Sequence, residues 1–169
     1  MSLDMLVGYF SQYGAIAIFI IVLLEYMNLP GFPAGIIMPL AGVWAAHGKI
    51  GFITALLISV AAGVTGSLIL YLIGYRGGEL FLKWYLKKFP SHRAAVEKTC
   101  ERVRQKGFIG IFVGKLIPVM RTLISIPAGV LKMNLLQYTV SSTLGVFVWN
   151  LVFVGAGYFL GDAVFNYVG

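Results

Sequence analysis

Four stretches of this chain contain no acidic, lysine or arginine residue: Met5 to Leu24, Tyr26 to Gly48, Ile50 to Tyr75 and Met133 to Gly161. Apolar runs of about 18 residues or more are what a helix needs to cross the hydrocarbon core of a bilayer. Only 11% of the 169 residues are charged and 59% are hydrophobic, whereas soluble domains carry roughly 25% charged residues. The expected fold is an all-α integral membrane protein. A cleaved signal peptide is not expected in the first run, because Asp4 is the only early charge and no small-residue cleavage site follows it.

The net charge of +7 is concentrated in one place. Nine of the thirteen Lys and Arg residues lie between Arg76 and Lys106, beside Glu79, Glu97 and Glu101. Lys and Arg collect in the cytoplasmic loops of membrane proteins near the ends of spans. The basic middle is therefore expected on the cytoplasmic side of a cell inner membrane, touching anionic headgroups rather than nucleic acid. The single Cys100 excludes an internal disulfide framework and offers no metal cluster. Its position in the most polar segment predicts a reduced cytoplasmic thiol.

Hydropathy and breakers divide the chain into six parts within one membrane domain. Residues 7–29 predict a first helix. Residues 30–48 hold Pro30, Pro33 and Pro39, which remove backbone donors and clash with the preceding turn. Irregular backbone at membrane depth persists only where protein or a water-filled cavity satisfies it, so this part predicts a re-entrant hairpin. Residues 51–75 predict a clean span, with Ala62, Gly63, Gly66 and Ser67 at a small-xxx-small spacing. Residues 76–107 predict a basic amphipathic segment. In it Leu80, Phe81, Trp84 and Tyr85 alternate with Lys83, Lys87 and Lys88 in an interfacial pattern. A polar helix should then run from Ser91 as N-cap to Gly107 as stop, with a thin apolar stripe of Ala95, Val96, Thr99 and Val103. Residues 108–132, broken by Pro118 and Pro127, predict a second re-entrant hairpin, and 135–161 a final span.

Two short identities recur 87 residues apart: AGV at 41–43 and 128–130, and YLIG at 71–74 echoed by YFLG at 158–161. The shared order, a broken hairpin followed by one span, supports a duplication more than the few identities do. With the basic segment cytoplasmic, the two halves are oppositely oriented. Inverted repeats whose broken helices meet at the midplane are the build of many secondary transporters.

"GKLIPVMRTLISIPAG", residues 114–129, carries two cations where hydrocarbon should surround them. A charge at the bilayer centre costs about 2.5–3.5 kcal/mol on insertion scales. Lys115 either snorkels to the cytoplasmic interface or enters a cavity. Arg121 lies six residues deeper. Glu25, near the end of the first span, either sits at the outer interface, pairs with Arg121, or carries a proton. In the functional reading prolines open the helix, water reaches the cavity, and the arginine fork grips a phosphate or carboxylate. Glu25, Lys115 and Arg121 are then the substrate-binding candidates, framed by Pro30, Pro33, Pro39, Pro118, Pro127 and Gly129.

At these residues the chain resembles the DedA family, the SNARE-associated or VTT-domain membrane proteins. "EYMNLPGFPAGIIMPLAG" from Glu25 is similar to the family's Glu-x-x-x-x-Pro-x-x-Pro stretch leading to Leu-Pro-x-Ala-Gly. "GSLILYLIGYRGG" is similar to Gly-Asp-x-x-x-Tyr-x-x-Gly-Arg-x-x-Gly, and "GKLIPVMRTLISIPAG" to Gly-Arg-Phe-Ile-Pro-x-x-Arg-x-x-x-x-x-Pro-Ala-Gly. The resemblance spans residues 10–161. It implies two facing re-entrant hairpins and movement of lipid between leaflets, with undecaprenyl phosphate flippases among bacterial members and phospholipid scramblases among eukaryotic ones. Glu25 and Arg121 match the family's essential acid and second arginine. Lys115 stands where many members have the first arginine, Gly35 where many have a second acid, and Ser67 where many have aspartate. If proton coupling in the family needs that second acid, the resemblance does not carry it to this chain.

The function expected is therefore a flippase or scramblase for an anionic membrane lipid, either undecaprenyl phosphate or a phospholipid. The alternatives are a proton-coupled small-ion transporter using Glu25 and a non-catalytic membrane scaffold. An enzyme is not expected: His47 and His92 are far apart and neither has an acid at catalytic spacing. No cofactor or metal is called for, and self-association into a homo-oligomer stays open.

Overall fold

The computed structural model of the protein describes residues 3–27, 37–47, 50–118 and 120–168. Pro30, Pro33 and Gly35 lie outside the described residues. Every regular element described is a helix: α1 Leu3–Tyr26, α2 Ile37–His47, α3 Phe52–Lys88, α4 Arg93–Lys115, α5 Met120–Leu123, α6 Ser125–Val130 and α7 Leu135–Val168. A single 3₁₀ turn, Pro90–His92, joins α3 to α4. Helices satisfy their own main-chain groups, which is what a solvent without hydrogen-bonding partners demands. Within α3 and α7, Phe52–Leu80 and Leu135–Leu160 are long and apolar enough to cross a membrane. They turn Ile53, Leu57, Leu136, Val152, Phe159 and Leu160 outward, a surface suited to lipid tails.

Two long helices bend where the sequence suggested boundaries. α3 does not stop at Tyr75 but continues to Lys88 through Gly78, at φ 55° and ψ −150°. An L side chain rarely adopts that backbone, and no atom lies within 4 Å of where a Cβ would stand. Conformation, not space, is what selects glycine there. The polar helix predicted for 91–107 instead begins at Arg93 and runs to Lys115. Gly107 is a bend inside it, at φ 46°, rather than its end. The apolar residues after Gly107 restart the helix at once. Gly110 comes to rest on the main chain of Arg102, where a methyl in place of its hydrogen would stand 2.6 Å from the Arg102 carbonyl oxygen. Val96, Thr99 and Val103 are buried, and Val103 joins a cluster with Tyr71, Ile111, Ile124, Ala128 and Tyr138.

The prolines act differently from one another. Pro118 lies in the turn between α4 and α5 and is exposed. Pro39 and Pro127 each occupy the third position of a helix, α2 and α6. The first turn has no intrahelical acceptor for its N–H groups, so proline fits there without breaking anything.

α3 and α7 run antiparallel. Ser59 meets Asn150, Gly63 meets Val146, and Tyr71 stacks on Tyr138 at 4.5 Å between ring centroids. The end of α1 enters beside them because Gly63 and Gly66 leave room: a methyl on Gly63 would come within 2.9 Å of the Tyr26 ring, and one on Gly66 within 3.1 Å of the Leu23 carbonyl. The short helices pack crosswise. Gly42 of α2 lies against the Val154 carbonyl of α7, and Gly157 of α7 against the Pro39 carbonyl. Likewise Gly129 of α6 lies against the Tyr71 carbonyl of α3, and Gly74 of α3 against the Ile126 carbonyl. Pro39 and Ile126, like Gly42 and Gly129, are 87 residues apart. Close main-chain approach through glycine is how helices associate when hydrocarbon gives them no hydrophobic drive.

Candidate functional site

Glu25, Lys115 and Arg121 come from the last turn of α1, the last residue of α4 and the short α5, and the fold brings all three together. Their relative exposures are 3%, 1% and 0%. Among the described residues they are the only buried charged ones, and their formal charge sums to +1. Lys115 points inward rather than snorkelling to an interface.

Arg121 forms an ion pair through Nη2 with Glu25 Oε1. Two aromatic rings flank its guanidinium. Cζ lies 4.5 Å from the Tyr26 ring centroid and 5.1 Å from that of Trp149, distances at which a desolvated cation gains from the ring quadrupole. Tyr26 is fixed by a relay of neutral groups. Its hydroxyl donates to Asn150 Oδ1 at 2.8 Å, Asn150 Nδ2 donates to Ser59 Oγ at 3.1 Å, and the Ser59 hydroxyl donates to the Leu56 carbonyl at 2.8 Å. Arg121 Nε and Nη1 have no hydrogen-bond partner among the described residues, nor does Trp149 Nε1.

Lys115 is arranged otherwise. Its ammonium donates to Ser67 Oγ at 2.7 Å, to the Arg121 carbonyl at 2.9 Å and to Ser125 Oγ at 3.0 Å. An ammonium has three protons, so all are used, and all by neutral acceptors. Lys115 on α4 and Ser67 on α3 thus touch one another. Tyr138 closes this side, donating to the Ser67 carbonyl at 3.1 Å. Gly145 makes room for the lysine stem, since a methyl there would stand 2.5 Å from Lys115 Cβ.

Of the framing residues, Gly129 and Pro127 are buried in α6 and serve packing, while Pro118 lies at the break itself. Sequence reasoning missed Tyr26, Ser59, Ser125, Tyr138, Trp149 and Asn150. Only Asn150, an amide in the middle of an uncharged run, carries a signal that could have found it. A separate open cleft of about 430 Å³ beside Gly107, lined by Arg104, Asn134 and Gln137 among others, touches none of the three charges.

A family model for the VTT domain matches residues 32–159. The chain belongs to the VTT-domain, or DedA, family. Lys115 and Arg121 fall inside the matched region and Glu25 just before it. The chain is 33% identical over 159 residues to a protein named undecaprenyl phosphate transporter A from Staphylococcus aureus, covering 92% of this chain and 78% of that one. It is 32% identical over 130 residues to undecaprenyl phosphate transporter A of Bacillus subtilis, covering 77% and 66%. A Lactococcus lactis protein named alkaline phosphatase-like is 29% identical over 168 residues, covering 94% and 76%. No solved structure matches the chain. As a VTT-domain protein with helices that fit transmembrane spans, it is a membrane protein.

Proposed function

We propose that this VTT-domain protein moves an anionic lipid, undecaprenyl phosphate in the first place, between leaflets of the cell inner membrane. The observation that carries this reading is Arg121: a fully buried guanidinium with one nitrogen in an ion pair and two others holding unused donors. A guanidinium in that state is ready for a phosphate, since charge-assisted hydrogen bonds to phosphate are among the stronger ones proteins make. The ion pair with Glu25 balances the guanidinium charge, because an uncompensated buried cation is strongly destabilising. Arrival of a phosphate lets Glu25 part from Arg121, whether or not it takes up a proton. Lys115 keeps the carbonyl of Arg121 fixed during the exchange. The lipid tails stay in the bilayer.

In this account residues 30–48 and 108–132 are re-entrant hairpins of two inverted repeats. The antiparallel course of α3 and α7 and the matched glycine contacts of α2 and α6 support it. Residues 76–107 then face the cytoplasm. The names of the two undecaprenyl phosphate transporters favour that lipid over a phospholipid. The name of the lactococcal relative favours a second reading, phosphate-ester hydrolysis.

One assay separates them. Protein reconstituted in liposomes should move a fluorescent undecaprenyl phosphate analogue between leaflets and release no inorganic phosphate. Phosphate release would favour hydrolysis, and proton flux without lipid movement would favour an ion transporter.

A further inference from the structure

The open cleft beside Gly107 lies where two helices pass from polar to apolar sequence. One wall belongs to α4, at Val103 and Arg104 and at the Gly107 bend. Before that bend α4 is crowded with charges, and after it come Phe108, an exposed Ile109 and a run of apolar residues. The other wall is the link from α6 to α7, at Leu131, Met133 and Asn134, continued by Gln137 in the first turn of α7. Directly after Asn134 begins Leu135–Leu160, the stretch long and apolar enough to cross a membrane, with Leu135 and Leu136 exposed. The two walls meet at one height, since a methyl on Gly107 would stand 3.7 Å from Gln137 Nε2. Both therefore leave water for hydrocarbon at the same level, which is where lipid headgroups lie.

Charge and shape fit a headgroup there. Arg104 is exposed and takes part in no ion pair among the described residues. The acids of its helix are engaged elsewhere, Glu97 with Arg93 at 4.0 Å and Glu101 with the Gln105 amide at 3.0 Å. Lys132, between two wall residues, has φ 51° and is the only non-glycine residue with a positive φ among those described. It follows α6 at the position that glycine usually fills, so the chain places a cation where glycine would be easier. A volume of about 430 Å³, with apolar walls and a few polar groups, is that of a small-molecule site. We propose that this cleft binds the phosphodiester headgroup of an anionic glycerophospholipid from the surrounding bilayer, with Arg104 on the phosphate and the Asn134 and Gln137 amides on the headgroup hydroxyls. Arginine suits a phosphate. Side-chain amides donate and accept, as hydroxyls require, and Asn134 Oδ1 already accepts the Gln137 main-chain N–H at 3.2 Å, which leaves its amide nitrogen to donate. Val103, Leu131 and Met133 then meet the glycerol and the first acyl carbons. The site is separate from Arg121 and does not depend on the role proposed for it.

Calorimetric titration of the detergent-solubilised protein with short-chain lipids tests this. Dioctanoyl phosphatidylglycerol should bind saturably. Dioctanoyl phosphatidylcholine, whose choline cation cancels the phosphate charge, should bind at least about fivefold more weakly. Arg104→Gln should bind phosphatidylglycerol about fivefold more weakly, the worth of one basic residue at an anionic surface. Lys87→Gln removes another exposed cation of the basic segment, one outside the cleft, and should stay within about twofold of the wild type. Equal losses in the two variants would mean diffuse attraction and overturn the inference, as would an unchanged affinity in Arg104→Gln. Glycerol phosphate binding as tightly as the lipid would give the cleft to a water-borne phosphate and overturn the lipid as its occupant. Phosphatidylglycerol binding lost in Arg121→Lys but kept in Arg104→Gln would move the lipid to the buried charges, overturning this inference and leaving the proposed function standing.

Discussion

Lys115 Nζ donates to the main-chain carbonyl of Arg121 at 2.9 Å, so one buried cation fixes the backbone that carries the other. The same ammonium reaches Ser67 on α3 and Ser125 on α6, so it ties the broken segment to α3 and braces it internally. Lys115→Met should leave three buried acceptors without their donor. At about 1–3 kcal/mol for a stranded buried group, the expected result is a lower thermal midpoint in detergent together with loss of lipid movement. Ser67→Ala, which leaves two of the three acceptors in place, should have a clearly smaller effect in the same melt.

Glu25 and Arg121 should be coupled rather than additive. Removing either charge breaks a buried ion pair, a change that typically costs about 3–5 kcal/mol. Glu25→Gln and Arg121→Gln should each lower stability in denaturant titrations of the detergent-solubilised protein. The double variant should be less destabilised than the sum of the two. Additive losses would mean that the ion pair contributes no coupling.

Those charges were legible in the sequence because a charge in an uncharged run is an anomaly that composition exposes. Their aromatic and hydroxyl neighbours were not. Tyr26, Trp149, Ser59 and Tyr138 are ordinary residues in apolar helices, and only the rotation of each helix about its axis decides which of them turns toward the buried charges and their neighbours. The same ignorance of helix phase made Gly107 look like a stop, when the chain beyond it restarts a helix. Pro39 and Pro127 looked like breaks yet stand in first turns, where proline is tolerated. The recurrence of AGV was legible as a pattern. Its effect, setting Gly42 and Gly129 against main-chain carbonyls of the opposite long helix, depends on how the helices cross, which no local pattern encodes.

Those two glycines should respond alike. A methyl at Gly129 would overlap the Tyr71 carbonyl, and one at Gly42 the Val154 carbonyl. Gly129→Ala and Gly42→Ala should each cost about 1–3 kcal/mol, the usual range for overpacking a tight contact, read as a lower melting temperature in detergent. Gly51→Ala, where no atom lies within 4 Å of the new methyl, is the control and should melt like the wild type.

Cys100 reports on the basic segment. Burial pushes its thiol up, more than the Arg104 guanidinium beside it pulls it down. At pH 7 its thiolate fraction is therefore below that of an ordinary thiol, and maleimide labelling should be slow there and accelerate about tenfold per unit as pH rises toward the thiol's own range. It is the only cysteine in the chain. A membrane-impermeant maleimide should then label inside-out vesicles and spare right-side-out ones if residues 76–107 face the cytoplasm, and the reverse pattern would invert the topology.

The most direct measurement is leaflet exchange of fluorescent undecaprenyl phosphate in liposomes containing Arg121→Ala or Arg121→Lys protein. A guanidinium that grips the phosphate predicts exchange at the protein-free rate for Arg121→Ala and only partial activity for Arg121→Lys, since an ammonium keeps the charge but not the fork. Wild-type exchange rates in the Arg121→Ala protein would contradict the account.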